Sequence, residues 1–439
     1  MKNDARILAY IILEQFERSD GKLNTIINDV FLKYTPKTSS KSRAFVIVNE
    51  VVRLRSRLDL MIEHITSKPI RNIDTPLKSI LRIGFYEVMI DENIPDYAAI
   101  NSAVNITRNT VNKKATGFAN AILRKLVRLN NNDNNWYKKL EANDSWNSLP
   151  IWIQKRWKDC YGDKEFTQLV KCVNSPSSNY IRVDYNKYKL KEVQTILGKE
   201  GIQSKIFSKS FLKIKNGFWK IFKTNLFENG IISIQNPASA AIVDTLNAKR
   251  GDVILDVCAA PGTKSLYLSN IVGKKGMILA SDSSSVRVKQ GKKDINRHGK
   301  KNIKWDVKDA SSAVFPISNR ILIDAPCTGT GIIRKKPDIR WRRKLDDVFT
   351  MSKLQLSILT NCGRFLKPNG TMVYATCSME EEENWKVVDQ FLKLNDDFII
   401  DNIPPKVPRE WIDNNKCLRT YPHIHGVDGM FAVKIKRKV

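Results

Sequence analysis

Five short apolar runs in the second half of the chain limit its fold more than any other feature. They are Val253–Val257, Met277–Ala280, Ile303–Trp305, Ile321–Ile323 and Thr371–Ala375, and helical stretches separate most of them. Runs this short and continuous are those of strands buried on both faces. Their alternation with helices predicts a doubly wound parallel sheet with right-handed crossovers. Ligands of such sheets sit outside the carboxyl ends of the strands, so the residues just after each run matter most.

The first part of the chain carries a different period. Residues 1 to about 130 read as all-helical. Leu77, Ile80, Leu81, Gly84, Phe85, Val88 and Met89 recur at helical steps and predict a helix over Pro76–Ile90, with Thr75 as its cap. A second helix is expected over Lys41–Ile65, a third after Pro95, and a fourth from Gly117 to about Leu129. The start, Met1 to Leu13, is followed at once by Glu14, Glu17 and Arg18, which fits an amphipathic helix and not a signal peptide. A helical bundle is the architecture these elements predict.

Residues 130 to 148 are rich in Asn and read as a linker or an irregular connection. Pro150–Cys172 reads as a helix with Trp152, Trp157 and Phe166 in its core. Beyond it, Tyr180–Tyr185, Ile202–Phe207, Phe211–Ile214 and Ile231–Ile234 read as strands, and Leu190–Lys199 as a helix. That is a small α+β module like an RNA-recognition sheet, without the aromatic signature such sheets use to stack bases. The expected organisation is a helical domain over 1–130, a linker and small module over 131–235, and an α/β domain over 236–439. Three domains suit a chain of 439 residues.

Lys and Arg number 74 against 45 acids, a net charge of +29. Such a field attracts polyanions and argues against an ordinary small-metabolite enzyme; nucleic acid is the expected partner. An AT-rich genome, which raises Lys and Asn together, accounts for part of the excess. Two basic clusters, Arg53 with Arg55 and Arg57, and Arg124 with Lys125 and Arg128, are either solvated helix faces or RNA contacts. No run approaches the ~18 apolar residues of a membrane span. The seven cysteines include no C-x-x-C pair, so neither a zinc ribbon nor a disulfide framework is expected. A cytoplasmic monomer without metal fits this usage of cysteine.

Three motifs follow the apolar runs. In the first, Asp256-Val257-Cys258-Ala259-Ala260-Pro261-Gly262-Thr263-Lys264 ends a strand in small residues and opens a helix. Small residues let backbone approach a ligand closely, and a helix start favours an anionic group. The G-x-G-x-x-G fingerprint is absent, which disfavours NAD. Asp282, twenty positions after Gly262, is placed to hold ribose hydroxyls, and Asp309 follows the third strand. One Asp after a strand is usually a turn or a cap. Acids after three successive strands point instead to an adenosine-containing ligand, and S-adenosylmethionine fits better than a dinucleotide. The second motif, Asp324-Ala325-Pro326-Cys327-Thr328-Gly329-Thr330-Gly331, and the third, Tyr374-Ala375-Thr376-Cys377-Ser378, bring two cysteines to the same sheet edge. The remaining cysteines, Cys160, Cys172, Cys362 and Cys417, read as small apolar residues.

These three strings, with Ile332-Ile333-Arg334-Lys335-Lys336-Pro337-Asp338-Ile339-Arg340-Trp341 after the second, resemble the RNA (cytosine-5) methyltransferases. Ser42-Arg43-Ala44-Phe45, Arg57-Leu58-Asp59, Leu81-Arg82-Ile83-Gly84, Ile94-Pro95-Asp96-Tyr97-Ala98-Ala99 and Ala119–Arg124 resemble the NusB-like domain. The combination is similar to the RsmB/Sun group of bacterial small-subunit rRNA methyltransferases, and Asp428-Gly429-Met430-Phe431-Ala432 matches that group's closing strand. The resemblance implies an all-α NusB-like bundle, a small α+β RRM-like module and a Rossmann-like class I S-adenosylmethionine-dependent methyltransferase domain. It implies methylation of C5 of a cytosine in 16S rRNA through a covalent bond between a cysteine and C6. Cys377 would be the nucleophile, Cys327 would serve release, and Asp324 would hold the cytosine edge. Cys258, Ala259, Ala260, Pro261, Gly262, Thr263 and Lys264, with Asp282, Asp309 and Asp324, would hold S-adenosylmethionine.

The chain departs from the group at three places. Thr263 stands where a second glycine is usual, Ser283-Ser284-Ser285 follows Asp282 where relatives often carry another acid, and Asn236 follows Gln235 where Asp is usual. Two other functions remain: the same chemistry on tRNA, and a non-catalytic RNA-binding factor. The second would need no cysteines at the sheet edge.

Overall fold

The computed structural model describes residues 3–439, which form two compact units. The first takes the chain up to Pro176 together with a distant segment, Arg334–Arg342. The second takes Ser177–Ile333 and Arg343–Val439.

The first unit is helical. Its helices are Ala5–Arg18, Leu23–Tyr34, Thr38–Arg53, Arg55–Thr66, Thr75–Met89, Asp96–Thr110, Lys113–Asn132 and Ile151–Val173. The apolar stripes of the first seven meet in one core that includes Leu8, Ile12, Phe16, Ile47, Leu58, Ile80, Phe85 and Leu123. Asp4 starts the bundle by accepting the backbone N–H groups of Arg6 and Ile7 at 2.8 and 3.3 Å.

Two boundaries differ from those expected. The span Lys41–Ile65 is two helices that turn at Leu54. Leu54 and Leu58 both stay in the core, so the apolar period runs through the turn and no Gly or Pro marks it. The helix expected at Pro76 begins at Thr75; Asp74 is its N-cap residue, so Thr75 is not the cap.

The helix Lys113–Asn132 takes in the first residues of the Asn-rich stretch, and the rest is irregular and packed. It makes 3₁₀ turns at Trp136–Leu140 and Asp144–Asn147, and buried Trp136 stacks on His64 with ring centres 5.6 Å apart. In Ile151–Val173, Trp157 and Phe166 are buried, but Trp152 in the first turn is only half-buried.

The first basic cluster turns inward. Arg53 is buried and pairs with Glu50, Arg55 reaches Glu17 at 3.2 Å, and Arg57 donates to the Trp146 carbonyl at 3.1 Å. Arg53 is thus part of the core, while Arg55 and Arg57 are half-buried. Arg124 and Arg128 are exposed.

The distant segment completes this unit. Arg340 is fully buried and donates to the carbonyls of Arg53, Ser148 and Val173 and to Asn174 Oδ1, at 2.7 to 3.1 Å. Trp341 donates to the Val52 carbonyl at 2.7 Å, and Asp338 accepts the N–H of Leu23 at 3.2 Å, capping that helix from far along the chain.

The second unit holds two sheets. The small one comprises β1 (Asn179–Val183), β2 (Gln203–Ser208), β3 (Phe211–Asn216) and β4 (Ile232–Ile234) in the order β2-β3-β1-β4, all antiparallel. The helix Leu190–Lys199 covers one face through Val193 and Leu197. The other face, the one an RNA-recognition sheet would show to bases, turns toward the apolar core of the large sheet. Tyr180 and Phe211 belong to that core, Tyr180 donates to the Gly426 carbonyl at 3.0 Å, and buried Arg182 lies 4.5 Å over the Tyr267 ring.

The large sheet comprises β5 (Val253–Val257), β6 (Met277–Asp282), β7 (Ile303–Val307), β8 (Ser318–Asp324), β9 (Leu366–Thr376), β10 (Phe398–Ile400), β11 (Leu418–Thr420) and β12 (Met430–Arg437). Its order is β10-β12-β9-β8-β5-β6-β7, with β11 on β12. β5 to β9 are parallel, as the apolar runs predict; β10, β11 and β12 add antiparallel strands at one side. Alternate residues fill two cores. Ile254, Ile278, Leu322 and Val373 pack on one face, and Leu255, Val257, Ile321, Ile323 and Tyr374 on the other. The chain leaves β5 toward β6 and β7, then returns to β8 on the opposite side. The switch point therefore lies between β5 and β8.

Candidate active site

The connection from β5 into the helix Thr263–Val272 is built from small residues. Cys258 and Gly262 have φ of 57° and 101°. A Cβ on Gly262 would lie 2.8 Å from the Trp305 ring, so both backbone shape and packing require glycine here. Trp305, on β7, also packs against Gly291 and walls this loop. Sequence reasoning passed it over because one Trp in a strand reads as core.

Asp256, at the end of β5, is fully buried. One of its oxygens accepts from Ser265 Oγ at 2.5 Å, and the other has no hydrogen-bond partner. Burial, helped by the nearby carboxylates of Asp324 and Asp282, pushes its pKa up to about 7. The Cys258 thiol is pushed well above the usual range by burial, so it is not poised for chemistry.

Asp282 ends β6. It accepts the N–H groups of Ala260 and Ser284 at 3.1 and 3.0 Å, and Arg287 pairs with it at 3.1 Å. It thus braces the Cys258–Gly262 loop. Ser284 caps the following helix through the N–H of Arg287, which gives the serine run a local structural role. Asp309 accepts the N–H and hydroxyl of Ser311, and these bonds hold its carboxyl below the usual range. Asn236 caps the helix Pro237–Thr245 and also accepts the N–H of Asp428 at 3.3 Å.

Lys264 reaches across the switch point to Asp324, at the end of β8, with 2.6 Å between Nζ and Oδ2. Burial works against its charge, but the Asp324 carboxylate outweighs burial and raises the Lys264 pKa, so the ammonium persists. Parallel pairing of β8 with β9 sets Asp324 opposite Ala375, and the two cysteine loops leave the sheet side by side. Cys327 Sγ and Cys377 Sγ are 3.1 Å apart, and the N–H of Cys377 points at Cys327 Sγ from 3.3 Å. The Cys377 contact, then burial, then Glu383 push the Cys327 thiol well above its ordinary pKa. Lys264 lies within electrostatic reach of Cys377. Among the described residues no disulfide joins any of the seven cysteines.

The structure thus gathers Asp256, Lys264, Asp324, Cys327 and Cys377 into one cluster. Asp282 lies under the β5 loop, and Asp309 holds the turn after β7. Behind the cysteines lies Glu383, which sequence reasoning missed. It stands in the run Glu380–Glu383, which reads as a solvated acidic patch, yet Glu383 is buried. Glu380 and the neighbouring Asn384 are buried as well.

A sheet that runs outward in both directions from its first strand, sets antiparallel β12 beside β9 and gathers acids at one edge is that of the S-adenosylmethionine-dependent methyltransferases. The residues suit that ligand, whose sulfonium and ammonium are cationic and whose ribose offers hydroxyl donors. Strand-end carboxylates, one with an unpartnered buried oxygen, are the acceptors such groups need.

Residues 243–436 match the model of the 16S rRNA methyltransferase RsmB/F family, and residues 3–128 match that of the NusB family. Residues 243–436 thus form a methyltransferase region of the RsmB/F type, and a NusB region precedes it. The chain is an S-adenosylmethionine-dependent RNA methyltransferase. Its relatives include the probable ribosomal RNA small subunit methyltransferase B of Bacillus subtilis, 29% identical, with 100% of this chain and 99% of that one covered. The ribosomal RNA small subunit methyltransferase B of Pasteurella multocida is 28% identical, covering 99% and 96%. The crystal structure of PH0851 superposes with a TM-score of 0.80 at 26% identity over 99% of both chains. That of NSun6 from Pyrococcus horikoshii with SFG shares the fold, with a TM-score of 0.58 at 21% identity over 66% of this chain and 98% of that one.

Proposed function

We propose that this enzyme methylates C5 of a cytosine in 16S rRNA through a transient bond between Cys377 and C6 of the base. The observation that carries the reading is the pair of thiols 3.1 Å apart beside Lys264 and Asp324. A methyltransferase acting on an exocyclic nitrogen or a hydroxyl needs no thiol. C5 of cytosine is a poor nucleophile and needs one added at C6. The names of the full-length relatives favour small-subunit rRNA over tRNA.

In this mechanism the Cys377 thiolate adds to C6, and the electron pair displaced from the C5–C6 bond makes C5 nucleophilic. S-adenosylmethionine supplies the methyl group that C5 accepts. A base then takes the C5 proton, the double bond re-forms, and Cys377 leaves as thiolate. Lys264 favours the thiolate of Cys377 by its charge, and Asp324 hydrogen-bonds the cytosine edge near N3. Cys327 serves release. Cys258 through Lys264 would cradle the cofactor, with Asp282, Asp309 and Asp324 as acceptors for its polar groups. The target base must leave its stack to reach thiols recessed at the sheet edge.

The test is transfer of labelled methyl from S-adenosylmethionine to deproteinised 16S rRNA, intact small subunits and bulk tRNA from cells lacking this gene. Label recovered as 5-methylcytosine in 16S rRNA is the expected result. Label in tRNA alone overturns the substrate and keeps the chemistry. Cofactor binding without label in any acceptor overturns the enzyme reading in favour of an RNA-binding factor.

A further inference from the structure

Resting on the reading of the two cysteines above, we propose that Glu383 is a positioning residue that fixes Cys327 against Cys377 and so governs release of the methylated base. One buried carboxylate ties together the residues that follow the two cysteines. Glu383 Oε2 accepts the N–H of Thr328 at 2.8 Å and Gln355 Nε2 at 3.0 Å. Its Oε1 accepts the hydroxyls of Thr328 and of Ser378, the latter at 2.6 Å. Four donors converge on one side chain, as an ionised carboxylate, which only accepts, requires. Burial alone raises the pKa of Glu383, and these four bonds work against it.

The hold is unequal. The Cys327 loop is gripped at Thr328 through both backbone and hydroxyl. The Cys377 loop is gripped only through the Ser378 hydroxyl, and it has other anchors. Thr376 donates to Asn384 Oδ1 at 2.5 Å, Asn384 donates to the Ser378 carbonyl at 3.0 Å, and the Cys377 carbonyl accepts from Gly331 at 2.9 Å. Arg343 holds the other side of the Cys327 loop, donating to the carbonyls of Thr328 and Cys327 at 3.2 and 3.4 Å. Removing Glu383 therefore loosens Cys327 far more than Cys377. Attack at C6 survives, and release slows.

The experiment places Glu383→Gln and Thr328→Val beside Cys327→Ala and Cys377→Ala. Each is incubated with 16S rRNA and S-adenosylmethionine and resolved on denaturing gels, with thermal melting and cofactor affinity as checks of fold. Glu383→Gln keeps the shape and one acceptor oxygen but sets an amide NH2 against the two donors that the other oxygen accepts; Thr328→Val removes one donor and is the milder change. The expected result is RNA–protein adduct in Cys327→Ala and Glu383→Gln, less in Thr328→Val and none in Cys377→Ala, with turnover of Glu383→Gln down at least tenfold (about tenfold for each 1.4 kcal/mol) and cofactor affinity unchanged. Purely structural damage would lower turnover without adduct. If Cys327→Ala traps adduct while neither Glu383→Gln nor Thr328→Val does, the role of Glu383 falls and the cysteine chemistry stands. If Cys327→Ala traps none, the cysteine reading falls and takes this proposal with it.

Discussion

The two sides of the sheet edge are built by different means. From β5 to β7 the edge is a matter of backbone shape: Gly262 and Cys258 in left-handed conformations, Trp305 as a wall, and Asp282 and Asp309 bonded to nearby N–H groups. From β8 to β9 it is a side-chain network, in which two thiols are laced by Thr328, Ser378 and Glu383. The first side can hold a ligand in place without altering its reactivity. The second is where charge and thiols meet and where the proposed mechanism makes its bonds. Lys264 crosses from one to the other.

Changes to the thiols and to the network that laces them should therefore spare cofactor affinity. The largest effect is expected for Cys377→Ala, which should lower methyl transfer by at least about 10³-fold, as loss of a nucleophile does elsewhere, while calorimetry shows unchanged cofactor binding. Lys264→Met should come next, slowing turnover by about 10²-fold, the usual loss when a preorganised charge is removed. Because Lys264 bridges the sides, it should also weaken cofactor binding, and a double-mutant cycle with Asp324→Asn should be strongly non-additive. Additive effects would mean that the two sides act independently even here.

On the first side, Gly262→Ala should cost about 1–3 kcal/mol of stability, because alanine must adopt a left-handed φ and displace Trp305. Chemical denaturation would read this, together with weaker cofactor binding. The smallest effect is one of pH. Asp256 titrates at about 7 when folded, against an ordinary 3.8, so the folded state binds the extra proton between these values. Its contribution to stability is full below the lower value and is lost as pH rises through 7. Affinity for a cationic cofactor should run the other way, rising between pH 6 and 8 by at most about tenfold per unit. Asp256→Asn should flatten both trends.

Much of this edge could be read from the sequence, because its elements are local. The run Val253–Val257 is a strand over just those residues, and Leu190–Lys199 is a helix with the expected ends. The cysteines and Lys264 announced themselves by standing just past strands. What could not be read depends on distant partners. Arg53, Arg55 and Arg57 look like any basic patch until Glu50, Glu17 and Trp146 are placed around them. The cap of Leu23–Tyr34 comes from Asp338, more than three hundred residues away. Glu383 lies in a run of four acids, and only the donors of Thr328, Ser378 and Gln355 make its burial tolerable. Charge is a poor guide to exposure wherever its counterpart comes from another loop.

The central claim is a covalent bond between this enzyme and its base, and trapping that bond tests it most directly. The Cys327→Ala variant should be incubated with 16S rRNA and S-adenosylmethionine, denatured and digested, and the cross-linked peptide sequenced by mass spectrometry. The account predicts a 5-methylcytosine nucleotide attached at Cys377. A cross-link at another residue, or full turnover by the Cys377→Ala enzyme, would contradict it.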